Sequence, residues 1–373
     1  MAGAYIPLDS SDIVLSTDSV TSAMWSDNSP TLLNYFTSSA QVASAVAPYY
    51  YTVYQTASTE TTAEIQFDIA YCDEVGSGSI DLNPLVIGTS PTRINYGQYR
   101  NLVLGDENAS FIFGNQTSSL FYVINLERAR YKQQILPGTW TLQLSSSATP
   151  GNVSPDFFSF KLTDDSLINP VTTFTDAGRV YNIISGSAGV LRTTSDQTDA
   201  NGWTTTSGSY GWMLPDVNLL ILNANALDAP VAEGGIALGT LRGEALSTNT
   251  DNNPLLIFDA LNLGGGNWDQ AGAGQGAAGV GTGFTLNSQE NLSSDFIFCR
   301  ARNSEFNYSA NPSFISSSTG AILFDSFITN PTTYITTVGL YNNSQELLAT
   351  AKLSRPLEKD FTKELLVRVK LDF

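Results

Sequence analysis

The sequence contains no histidine in 373 residues, which removes Ser-His-Asp and Cys-His nucleophilic sites, the common zinc sites and any switch titrating near neutral pH. Lysine is nearly as scarce: Lys132 and Lys161 are the only two before position 352, so a catalytic amine has few candidates. The two cysteines, Cys72 and Cys299, are too few for a disulfide framework and neither sits in a CxxC pair, so both are expected as buried thiols. No apolar run approaches the ~18 residues of a membrane span. The opening MAGAYIPLDSSD lacks the basic-then-apolar order of a secretory signal, so the protein is expected to be soluble in the cytosol where it is made.

Positive charge is also short. Against 35 acidic residues there are 17 basic ones, a net of −18, and such a surface cannot supply the basic footprint that phosphate contacts require. The shortage is uneven. Residues 351–373 hold six basic and four acidic side chains, whereas between Arg192 and Arg300 a single basic residue, Arg242, stands among eleven acidic ones. One reading is solubility through self-repulsion; the other is an acidic surface facing a basic partner, with the basic tail docking elsewhere.

Apolar residues make up 42% of the chain, enough for about two to three cores. They occur in short alternating or continuous runs between clusters of Gly, Pro, Asn, Asp and Ser, which is the all-β pattern, with little helix. Residues 64–71 alternate strictly, and further strands are expected at 111–113, 120–126, 140–144, 158–162, 217–222, 255–258, 296–300 and 334–340. The run VNLLIL at 217–222 predicts a strand covered on both faces. At the C-terminus, Leu365, Val367, Val369, Leu371 and Phe373 fall on one face and Leu366, Arg368, Lys370 and Asp372 on the other, the period of a half-buried, docked strand. Residues 334–341 and 346–353 read as a hairpin across NNSQ, and residues 357–363 turn the chain back into that last strand.

The expected architecture is a sandwich-like core built discontinuously from residues 61–145 and 291–373, with 146–290 as an inserted β-domain carrying a Gly-rich loop. Residues 1–60 read as an extended entry segment with one short helix, SAQVASAVA at 39–47, stopped by Pro48. The aromatic run Tyr49, Tyr50 and Tyr51 suits an interface as well as a core. Long polar connections such as 193–211 are expected on the surface, in contact with neighbours. Six Asn-x-Ser/Thr triplets, beginning at Asn108, Asn115, Asn152, Asn291, Asn307 and Asn342, follow from the hydroxyl-rich composition rather than from secretion.

Motifs for chemistry are weak. GQGAAG at 274–279 has the spacing of a dinucleotide loop but neither the preceding strand nor the following helix that such a loop needs. The carboxylate pairs Asp73-Glu74 and Asp164-Asp165 are adjacent in sequence, whereas a glycosidase needs two acids flanking one bond. TNTDNN at 248–253 offers oxygen ligands but lacks the glycine and terminal glutamate of a calcium loop. No cofactor or metal is expected.

Three ordered blocks carry a resemblance. INLERARYK at 124–132 with PGTW at 137–140, FIFCRARNSEFNYSANPSF at 296–314, and NPTTYITTVGLYNNSQELLATAKLSRPLEKDFTKELLVRVKLDF at 330–373 resemble segments of a family of virion structural proteins from T4-like tailed phages, of the cyanophage and marine myophage type. YNIISG at 181–186 and YGWMLPD at 210–216 are looser matches. The resemblance implies a non-enzymatic structural component of a virion, in the baseplate or adjoining tail, assembled in the host cytoplasm. Its partners would be other virion proteins and copies of itself. A neck or capsid decoration protein is the nearest variant, and a glycan-binding or glycan-cleaving appendage the rival from another class. Arg128, Arg130, Arg300 and Arg302 lie in two of these blocks with the period of a strand face, and with Tyr49, Tyr50, Tyr51, Arg368 and Lys370 they are the candidate interface residues; the alternative for the arginines is pairing with local acids.

Overall fold

The computed structural model describes residues 5–37, 50–76, 91–145, 159–169, 173–191, 208–230, 233–240, 253–264, 283–309 and 311–372. The chain forms two compact units, a terminal one of Met1–Ser19 with Asn291–Phe373 and a central one of Val20–Glu290. In chain order the first strands are β1 (Ile13–Ala23), β2 (Thr31–Leu32), β3 (Phe36–Thr37), β4 (Tyr50–Tyr54) and β5 (Ile65–Asp73). Helix α1 (Thr92–Leu104) and strands β6 (Phe111–Phe113), β7 (Gln116–Ser118), β8 (Leu120–Leu126), β9 (Gln134–Ile135) and β10 (Thr141–Ser145) follow. Next come β11 (Ser159–Asp164), β12 (Thr173–Thr175), β13 (Gly178–Ser187), β14 (Val190–Leu191), β15 (Gly211–Leu214) and β16 (Leu219–Asn223). The short α2 (Ala224–Asp228), α3 (Asn253–Gly264), β17 (Phe284–Thr285), β18 (Asn287–Ala301), α4 (Asp325–Thr329), β19 (Thr333–Tyr341), β20 (Leu347–Lys359) and β21 (Leu365–Asp372) complete the chain. The all-β expectation holds.

The central unit is one curled antiparallel sheet in the order β2-β17-β10-β11-β13-β15-β16-β8-β5-β4-β3, with β12 and β14 added on β13. Its two outermost strands, β2 and β3, are joined by only Leu33, Asn34 and Tyr35, so the two edges of the sheet meet. Tyr35 seals this seam: its ring is buried, its hydroxyl donates to the Leu32 carbonyl at 3.1 Å, and it packs edge-on against Phe67 of β5. Among the described residues no ladder joins β2 to β3, so the curl brings the two edges together across a three-residue connection and through side chains, which screens them from strands that could add there.

Side-chain alternation then sorts residues between two cores. Leu120, Tyr122, Ile124 and Leu126 of β8, Leu220 and Leu222 of β16, and Phe67, Ile69 and Tyr71 of β5 fill the interior with residues from α3. The opposite faces, through Phe121, Val123, Leu219 and Ile221, meet Tyr96 and Val103 of α1 and Phe111 and Phe113 of β6. The run at 217–222 is therefore covered on both faces, as its continuous apolar pattern implies. Each such side chain contributes about 1.5–3 kcal/mol. Backbone permissiveness matters at Gly211, where φ is +139° and an added Cβ would lie 1.8 Å from the Ile221 carbonyl, across the β15–β16 ladder.

Several expectations are corrected. Strands from 61–145 pair with strands from 159–223 in the central sheet rather than building a core with 291–373, whose discontinuous partner is the N-terminal stretch. Strand quality at the two ends of the chain carried no information on pairing. Residues 1–60, expected as an extended entry segment, supply β1 to β4, among them an eleven-residue strand. Residues 255–258 form part of α3, not a strand. A four-residue apolar run fits either a buried helix or a strand, and Pro254 in the first turn decides for the helix. Helix α1 was not expected, because its apolar stripe is interrupted by Arg93, Asn95, Gln98 and Asn101. Cys72 is buried and its thiol pushed well up by that burial, whereas Cys299 is only half-buried. The candidate helix at 39–47, Tyr49, and the Gly-rich stretch at 274–279 lie outside the described residues.

Candidate assembly interface

The terminal unit differs from the central one in having almost no core. Among its described apolar residues only Ile297, Ala301, Ile315 and Val369 are buried, each still 6–8% exposed. Most core side chains of the central unit are 0% exposed. Large apolar side chains instead lie open to solvent, among them Leu15 at 77%, Leu348 at 68%, Tyr334 at 62% and Leu366 at 58%.

Local sequence still folds each piece as its pattern dictates. In the sheet β1-β18-β21, β21 runs antiparallel to β18 through eight register pairs from Ser294↔Asp372 to Ala301↔Leu365. The alternation expected of residues 365–372 is observed: Val369 is buried opposite Ile297, while Leu366, Arg368, Lys370 and Asp372 are exposed. On the exposed face Arg368 and Lys370 lie over the ring of Phe296, 5.3 and 5.8 Å from its centroid. Lys370 also pairs with Asp372 at 2.9 Å and, more loosely, with Asp18 at 4.0 Å.

Strands β19 and β20 form a separate two-stranded hairpin. Its turn is closed by Asn342, which accepts from the Glu346 amide at 2.8 Å and donates to the Glu346 carboxylate at 2.7 Å. A bulge between Ile335 and Thr337 absorbs the stretch around Pro356, a residue that cannot donate to a ladder. One face carries Ile335, Val338 and Leu340 opposite Leu357, Ala351 and Ala349, all half-buried; the other carries exposed Tyr334 and Tyr341 opposite Glu358 and Leu347. An isolated two-stranded ribbon is marginal in water, because neither face is fully removed from solvent.

The hairpin is anchored at its base by Lys359, whose side chain is fully buried. Its ammonium donates to the Asn307 Oδ1 at 2.6 Å and to the carbonyls of Asp360 and Asn303 at 2.8 and 3.0 Å. Three donors meet three neutral oxygens, and among the described residues no carboxylate pairs with the ammonium. Asp360 next organises the turn into β21: it accepts from the amide and hydroxyl of Thr362, which with Lys363 hold its carboxyl down at about 2.

The remaining candidate residues are dispersed. Tyr51 is buried and stacked on Phe258 at 6.0 Å, while Tyr50 beside it is exposed on β4. Arg128 and Arg130 lie in a 3₁₀ turn just after β8, not on a strand. Arg128 donates to the Tyr131 carbonyl and covers its ring, and Arg130 pairs with Glu64 at 2.6 Å. Both are thus engaged by local groups. Arg300, near the end of β18, and Arg302 just beyond it are exposed and form no ion pair among the described residues. Sequence reasoning missed Tyr334, Leu348 and Lys359. The signal for the first two was a hairpin with apolar residues on both faces; a buried lysine leaves none.

The carboxylate pairs serve the backbone. Both oxygens of buried Asp164 accept from the Gly138 amide at 2.9 Å, and Asp165 accepts from the amide and side chain of Asn182. Burial pushes both carboxyls up, against those hydrogen bonds. Asp73 accepts from the Val75 amide and the Tyr71 hydroxyl, and Glu74 faces Arg100 at 3.5 Å. Residues 248–252 lie outside the described residues. No family model, curated protein or solved structure matches the chain.

Proposed function

We propose that the chain is a non-enzymatic structural component of a tailed-phage virion, in the baseplate or adjoining tail, assembled in the host cytoplasm with other virion proteins. One observation carries the assembly role: a unit of about a hundred residues folds into strands with only four buried apolar side chains among its described residues. Domains of that size normally bury more than half of the surface their unfolded chain exposes, and contiguous uncovered apolar surface marks a place where another protein binds. The central unit, by contrast, buries its apolar side chains in two cores of its own. The use of Asp164, Asp165 and Asp73 as backbone acceptors supports a scaffold rather than an acid–base site. The resemblance of 124–140, 296–314 and 330–373 to virion proteins supplies the particular setting.

A map of the particle tests this. Density for the chain between tail components, and loss of assembled tails when its gene is deleted, are the expected results. Complete tails formed without it, or cleavage of host surface polysaccharide by the isolated chain, would overturn the proposal.

A further inference from the structure

We infer that the partner completing the terminal unit is the terminal unit of a second copy of this chain, the two burying their β19–β20 hairpins and exposed strand faces against each other. The inference rests on the assembly role and names the occupant. Three features of the unit favour a second copy.

The first is area. The exposed large apolar side chains of this unit include Tyr5, Leu15, Tyr334, Leu347, Leu348 and Leu366, exposed by 49–77%. With their neighbours they amount to on the order of 1,000 Å² per chain, at or above the ~800 Å² per partner of a stable interface. The second is charge. Met1–Ser19 and Asn291–Phe373 hold eight basic and eleven acidic side chains, leaving nine and 24 for Val20–Glu290. The near-balanced unit is the one with uncovered apolar surface, so copies can meet there with little repulsion while the strongly acidic units repel. The third is the ribbon itself. A two-stranded hairpin gains stability when further strands or a second apolar face cover it, and an identical hairpin brings the matching exposed face with Tyr334, Tyr341 and Leu347.

Sedimentation velocity on the purified full chain between 0.5 and 50 µM, at 0.05 and 0.5 M NaCl, is the test. A self-associating species whose dissociation constant falls with added salt is expected, because screening relieves repulsion between acidic chains without weakening apolar contact. The double variant Tyr334→Glu with Leu348→Glu should weaken association by ~100-fold or more, with tryptophan fluorescence and far-UV circular dichroism unchanged. A chain that stays monomeric at 50 µM in both salts, association that weakens with salt, or oligomers indifferent to the double variant would overturn the inference. If such a monomer still enters particles, the assembly role stands and only the second copy is lost. If it does not, both fail.

Discussion

Replacing Phe284 by alanine tests whether the central sheet closes. Phe284 lies on β17, a two-residue strand next to the β2 edge. In an open sheet such a position is peripheral, and truncation there would cost about 1 kcal/mol or less. In the closed sheet its ring is 0% exposed and reaches Phe67 of β5, seven places along the strand order, at 5.7 Å, and Trp25 at 5.0 Å. The Trp25 indole also donates to the Phe284 carbonyl at 2.9 Å. Burial of a phenylalanine is worth ~1.5–3 kcal/mol and each ring contact a further ~0.5–1.5 kcal/mol, so Phe284→Ala should cost about 3–5 kcal/mol, in the range for large core aromatics. Urea unfolding followed by tryptophan fluorescence isolates the effect, since all five tryptophans lie within Val20–Glu290. Phe174→Ala, at a ring 70% exposed on β12, should fall within ~0.5 kcal/mol of the parent. A loss below about 1 kcal/mol for Phe284→Ala would refute the seam.

Gly211→Ala should destabilise the central unit by about 3 kcal/mol or more, read from the same urea curves, because its Cβ would meet the Ile221 carbonyl at 1.8 Å; a stable variant would show that β15 and β16 can part there at little cost. Lys359→Met, which leaves three oxygens without their donor, should lower the opening free energy of the hairpin base by about 2–3 kcal/mol, measured by amide exchange at residues 303–309. The Asp360 carboxyl sits below its unfolded value, so its contribution is present above pH ~4 and lost as pH falls through about 2; a carbon-detected titration giving an ordinary value near 4 would show that the Thr362 cap does not persist in solution.

Where local pattern determines structure, the sequence was legible. Residues 111–113 and 120–126 form the strands expected of them, the hairpin turns at Asn342, and the last strand alternates as its residues do. Pairing was not legible, because period-two alternation says which face a residue takes and nothing about which strand lies beside it. Hence 61–145 was assigned to the wrong partner, and the seam between β2 and β3, which rests on two-residue strands, left no periodic trace. The interface residues divide along the same line. Arg368 and Lys370 lie on an exposed strand face, as the alternation of charge implies, while Arg128 and Arg130 have period-two spacing by coincidence in a 3₁₀ turn. Lys359 was invisible, since its burial depends on Asn303 and Asn307, more than fifty residues earlier.

The division of labour between the units has a consequence for stability. Local opening free energies follow buried apolar contact, and here that contact is concentrated in one unit: the seam residues Tyr35, Phe67 and Phe284 are buried at 0–3% exposure, whereas the best-covered apolar side chain described in the terminal unit, Val369, keeps 6% and the hairpin has no buried apolar residue at all. In the isolated, dilute chain the amides of β19 and β20 should therefore exchange well before those of β8 and β16. Association would then stabilise the hairpin by mass action, since a partner that binds only the folded form adds RT ln(1 + [L]/Kd), about 2.7 kcal/mol at a hundredfold excess over Kd. Exchange measured at 0.5 µM and at 50 µM, or free and within particles, separates the cases. Protection of 333–359 should rise by roughly two orders of magnitude while that of 120–126 and 219–223 stays fixed. Equal protection of the two units in the dilute chain would mean that the hairpin is stable without a partner, and the uncovered surface would lose its meaning as half of an interface.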